Sequence, residues 1–137
     1  MKSIARLFIA LSLCIGLYSK ALAQKKTAEL SINYSFMGIE KGYDHPFKIL
    51  VYVDEVVVGT SEVAPESKPG SIKVKVPKGS HKVYVEGQAQ YEGVWEAHIM
   101  ENNYSVDCTY NGEHAFKKKH TLELIFDLDC CTKHTFK

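Results

Sequence analysis

From residue 27 onward, apolar and polar residues alternate with period two along most of the chain, and β-branched and aromatic residues fill the apolar positions. That pattern predicts strands with one buried face. Leu30, Ile32, Tyr34 and Phe36 mark the first, and Phe47 to Val53, apolar almost throughout, a second and central one. Asp54-Glu55 predicts a tight turn into Val56-Val57-Val58, and residues 59–71, rich in Gly, Pro and Ser, predict a long loop. Ile72, Val74 and Val76 form the next inward row. Pro77-Lys78-Gly79-Ser80 then predicts a hairpin turn into Val83 and Val85, with Lys73, Lys75 and Lys82 on the wet face. Such lysines also guard a sheet against edge-to-edge pairing. Further strands are expected at 94–100, at 104–110 with Tyr104, Val106, Cys108 and Tyr110 inward, and at 122–128. A polar loop over 111–119 makes the last two a hairpin, and the residues after 128 read as a frayed tail. About eight strands with short turns and no crossover helix predict an all-β fold, a single antiparallel β-sandwich of transthyretin-like or immunoglobulin-like kind.

The first residues depart from this pattern. Lys2 and Arg6 precede an apolar run from Leu7 to Tyr18, and Ala21-Leu22-Ala23 supplies a small-x-small cleavage pattern. This reads as a secretory signal peptide over 1–23, leaving one domain over 24–137 and an exported protein, periplasmic or at the cell surface, after cleavage near Ala23. Cys14 sits mid-run behind Leu13, which does not fit a lipoprotein signal. No second apolar stretch is long enough to span a bilayer.

Residues 24–137 carry 14 lysines against 16 acids, a charge of about −2, and Arg6 is the only arginine in the chain. Without the planar fork that reads phosphates and base edges, nucleic acid is not an expected partner.

The stretches KILVYVDEVVVGTSEV and VKVPKGSHKVYVEGQAQYEG resemble a PEGA-type module over residues 49–93. Val53, Asp54, Val58, Gly59 and Thr60 match one half of that pattern, and Pro77, Gly79, His81 and Val83 the other. Glu55 stands where the pattern has glycine, and the Pro-Glu-Gly-Ala signature is absent. The resemblance implies a small β-sandwich outside the bacterial cytoplasm with a structural or binding role and no catalytic set.

Candidate chemistry is sparse. Cys130, Cys131 and His134 offer metal donors, but adjacent cysteines in extended chain point to opposite sides, against the spacing zinc sites use. In a 104–110/120–128 hairpin, Cys108 lies opposite residue 122 and about 26 Å from Cys130, against the about 7 Å a disulfide allows. Cys108 therefore reads as a small buried hydrophobe, and an intermolecular bridge stays open for the tail. The six histidines form no His-x-His or Glu-x-x-His, and no Gly-x-Ser-x-Gly elbow accompanies them, so no enzyme and no cofactor are expected. Ser105, His98 and Asp107 could meet only by accident. The lysine run 117–119 reads as a solvated loop tip.

Tyr43, Tyr91, Trp95, Tyr104, Tyr110 and Phe116 lie in or beside loops and strand ends. Of these, Tyr91, Trp95, Tyr110 and Phe116 are candidates for stacking on a glycan or anchoring a protein, although Trp95 also fits the core tryptophan of a sandwich. The expected function is a non-catalytic envelope binding or adaptor module whose partner is a protein or glycan. The alternatives are assembly through a sheet edge, with homo-oligomers, and metal binding by the tail.

Overall fold

The computed structural model describes residues 26–137, and the leader read over 1–23 lies outside them. Ten strands form two sheets: β1 Thr27–Met37, β2 Pro46–Val53, β3 Val56–Thr60, β4 Ala64–Pro65, β5 Gly70–Pro77, β6 Gly79–Tyr91, β7 Val94–Ala97, β8 Thr109–Phe116, β9 Lys119–Asp127 and β10 Cys131–Phe136. One sheet has the order β10-β9-β1-β5. The other runs β3-β2-β6, with β4 beside the start of β2 and β7 and β8 both along the far side of β6. A 3-10 turn, Met100–Asn102, is the one helical element among the described residues.

The alternation builds the core as expected. Leu30, Ile32, Val74, Val76, Leu122, Leu124 and Phe126 from the first sheet meet Phe47, Ile49, Val51, Val83 and Val85 from the second, all buried. Each such side chain contributes about 1.5–3 kcal/mol relative to exposure. Cys108 is a free thiol in this core. Gly87 continues the inward row of β6, and any Cβ there would lie 2.6 Å from Phe47 and 2.8 Å from Cys108. Asp54 and Glu55 form the predicted tight turn, with φ of 48° and 69°, the mirror-image conformation that matches strand twist.

Several pairings differ from expectation. Pro77 to Ser80 is not a hairpin turn, because β5 pairs with β1 and β6 with β2 and β8. It arches between the sheets instead, and Lys78 N–H donates to the carbonyl of Lys26 at 3.3 Å. An arch and a hairpin leave the same alternating pattern, since both keep Val74, Val76, Val83 and Val85 inside. The strand expected over 104–110 is absent up to residue 108, which belongs to the loop before β8, and β8 and β9 fall in different sheets and form no hairpin. Residues 111–116 are strand, with His114 opposite His81. The tail is not frayed: β10 pairs with β9 from Cys131↔Asp127 to Phe136↔Leu122. The sandwich is also not wholly antiparallel, because β1 lies parallel to β9.

Candidate functional site

One end of the sandwich gathers the β1–β2, β4–β5, β6–β7, β7–β8 and β9–β10 connections around a cavity of about 620 Å³. Two of these loops are tied together at its edge. Asp44 accepts from Ser67 N–H at 2.9 Å and Ser67 Oγ–H at 2.6 Å, and Glu66 N–H donates to the carbonyl of His45 at 3.0 Å. The Ser67 bonds hold the Asp44 carboxyl below its ordinary range. This clamp turns Glu66 inward, where its side chain keeps 1% of its exposure.

The segment between β7 and β8 supplies the opposite wall. It leaves and rejoins β6 at one point: His98 N–H donates to Gly87 O, Cys108 N–H to His98 O and Gly87 N–H to Cys108 O, at 2.9, 2.8 and 2.7 Å. Asn103, left-handed at φ 69°, ends the 3-10 turn, and Asp107 accepts from Met100 N–H at 2.7 Å. The result is a compact loop that stacks Tyr104 on His98 with ring centroids 4.0 Å apart. Tyr104 O–H donates to Glu96 at 2.8 Å; burial first, then this bond, pushes the phenol pKa up.

The polar groups converge on Glu66. Its Oε1 lies 3.4 Å from His98 Nε2 and 3.6 Å from His45 Nδ1. Neither contact has hydrogen-bond geometry, so Glu66 Oε1 and His45 Nδ1 are buried without partners. Such groups are rare in folded proteins, and each carries a desolvation cost of about 1–3 kcal/mol. On the far side of the imidazole, His98 Nδ1 lies 3.1 Å from Cys108 Sγ.

A cysteine, a histidine and a glutamate in series have the outline of a nucleophilic triad, but the thiol does not fit that work. Cys108 is wholly buried and is not in the cavity wall. Burial raises its pKa, with Glu66 and Asp107 adding to the shift, which suppresses the thiolate a nucleophile needs. The other serine-histidine-aspartate grouping is not assembled either. Ser105 lines the cavity, while Asp107 bonds the 3-10 turn.

The predicted aromatic candidates separate. Tyr110 and Phe116 are buried in the core, because β8 turns their side of the strand inward. Trp95 is half-buried on the outer face of its sheet, paired in register with Gln90 and covered by Lys48 Nζ at 4.3 Å from its ring. It is therefore not the core tryptophan, since parity with Ala97 on the short strand β7 places it outside. Tyr91 alone of the four lines the cavity, joined there by Tyr43 and Tyr104. Glu66, His45 and His98 were missed as a group. Their only common signal in sequence is position near strand ends, and Glu66 sits in a stretch that otherwise reads as plain loop.

Cys130 and Cys131, neighbours in sequence, are bonded to each other in the turn before and at the start of β10. His134 packs against Tyr110 with centroids 5.0 Å apart. Among the described residues no group of three or more His, Cys, Asp or Glu is arranged to hold a metal ion. None of their helices is long and apolar enough to cross a membrane.

No protein-family model matches the chain, and no curated protein matches it. Among solved structures, a Gram-negative toxin aligns with a TM-score of 0.37 and 9% identity, over 82% of this chain and 23% of its own. Listeriolysin O aligns with a TM-score of 0.35 and 13% identity, over 82% and 22%. The chain thus spans under a quarter of the length of either toxin.

Proposed function

We propose that this protein is an exported, non-catalytic binding module that receives its envelope or cell-surface partner at the loop-built end of the sandwich. The observation that carries this reading is the cavity itself. It is concave and aromatic-walled, and its floor holds a buried carboxylate oxygen without a partner. Apolar walls with a few converging polar groups are the usual form of a binding site. The inert thiol behind His98 argues for binding over turnover. The signal-like leader and the PEGA-type resemblance over 49–93 favour the cell envelope as its setting.

Tyr43 and Tyr91, 64% and 54% exposed at the cavity mouth, are the residues through which a partner would first dock. They can be removed without opening the core. The double variant Tyr43→Ala/Tyr91→Ala is expected to keep its unfolding midpoint and to capture its partner from envelope extracts at least about tenfold less well than the wild type. Equal capture by the two proteins would rule the cavity mouth out.

A second reading, assembly through a sheet edge, is favoured by β3. This outer strand exposes Val56, Val57 and Val58 at 63%, 48% and 37%, and bare apolar edges invite pairing.

A further inference from the structure

The cavity's charge and hydrogen-bonding needs point to a class of ligand. Four acids line it: Glu40, Glu66, Glu96 and Asp129. No lysine does, although Lys41 neighbours Glu40 in sequence. The only lining groups able to carry positive charge are His45 and His98. Glu96 already accepts from Tyr104. Glu66 Oε1 accepts no hydrogen bond, although it is buried beside His98 Nε2 at 3.4 Å and His45 Nδ1 at 3.6 Å. Three tyrosines, 43, 91 and 104, complete the wall, and aromatic faces attract cations. A neutral apolar ligand would leave the glutamate oxygen unpartnered, and an anion would face four carboxylates. A quaternary ammonium would satisfy the charge but has no hydrogen to donate.

We infer that the end cavity binds a primary alkylammonium group, its N–H donors turned toward Glu66 and its charge held among the tyrosines. This inference rests on the cavity being the binding site. The group can belong to a free amine or to a lysine side chain of a partner, and both present the same head on an aliphatic stem.

The test is calorimetric and NMR titration of the protein purified from its own cells, with n-butylammonium, n-butanol and butyrate as matched probes. One-site binding of n-butylammonium is expected, at least about tenfold tighter than n-butanol, with amide shifts confined to residues 38–45, 66, 91–105 and 128–129. Butyrate is expected not to bind. Nα-acetyl-lysine methylamide separates the sources: tighter binding than n-butylammonium marks a peptide lysine, and weaker binding marks a free amine. Glu66→Gln, which keeps the shape of the side chain, is expected to remove the preference for the charged probe. If that variant does not fold, the comparison of butylammonium with butanol on the wild-type protein still decides. Equal or stronger binding of n-butanol at the same amides overturns the cation and leaves the cavity as a binding site. No binding of n-butylammonium also overturns it. The fate of the cavity reading then rests on whether Tyr43→Ala/Tyr91→Ala loses its partner.

Discussion

At the residue scale, His81 and His114 face each other across β6 and β8, yet their surroundings shift their pKa values in opposite directions. His81 Nδ1 lies 2.6 Å from Asp54 Oδ2, and that bond raises its pKa above the ordinary 6.5. The stabilisation it provides is therefore complete below pH 6.5 and is lost as pH rises through the higher folded value. Around His114 stand the Tyr110 hydroxyl, Phe116, Phe136, His81, His120 and His134. Burial first, then the two histidines of β9 and β10, lowers its pKa. Its contribution is complete above pH 6.5 and is lost as pH falls toward the lower folded value. Urea midpoints at pH 7.5 and 5.0 should show this. His114→Asn is expected to lose less stability on acidification than the wild type, and His81→Asn is expected to lose more. Parallel slopes in all three proteins would contradict the assignment.

At the element scale, the strands and the core were legible in the sequence, because a period of two with Val, Ile, Leu and Phe inward admits little else. The layering was not. Ile72–Val76 and Val83–Val85 alternate identically whether their connection at Pro77–Ser80 is a hairpin or an arch, and only the pairing partners of β5 and β6 separate the two. Polar stretches misled in a different way. Residues 111–116 and 131–136 are strands in which imidazoles serve as stacking surfaces: His114 lies on Phe136 with centroids 3.6 Å apart, and His120 is nearly parallel to the same ring at 5.3 Å. Of the site, Tyr43, Tyr91 and Tyr104 stand in the sequence among six loop and strand-end aromatics, and nothing there separates them from Trp95, Tyr110 and Phe116; of the four candidates only Tyr91 lines the cavity. Glu66 gained its meaning only from the long-range clamp of Asp44 on Ser67. Edge exposure carries its own prediction. If β3 mediates assembly, the mass of the protein rises with concentration, and Val57→Lys returns it to the monomer. A monomer at every concentration removes that reading.

At the scale of the whole molecule, the sandwich is electrically polar. The cavity end carries four lining acids, one of them, Glu66, buried. The opposite end brings Lys75, Lys78, Lys117, Lys118 and Lys119 together around a smaller recess that one acid, Glu29, also lines. Two backbone bonds, Lys78 N–H to Lys26 O and Glu29 N–H to Lys118 O, join the segments that build this basic corner. The net charge conceals this separation, which depends on which turns share an end. A partner presenting positive charge would be steered toward the cavity and away from the lysines, most strongly at low salt. The most direct test of the cavity as the contact site is amide hydrogen exchange of the purified protein, alone and with its own envelope extract. Slowed exchange confined to residues 38–45, 66, 91–105 and 128–129 is the expected result. Slowed exchange along Val56–Thr60 or at the lysine corner, with the cavity loops unchanged, would contradict the account.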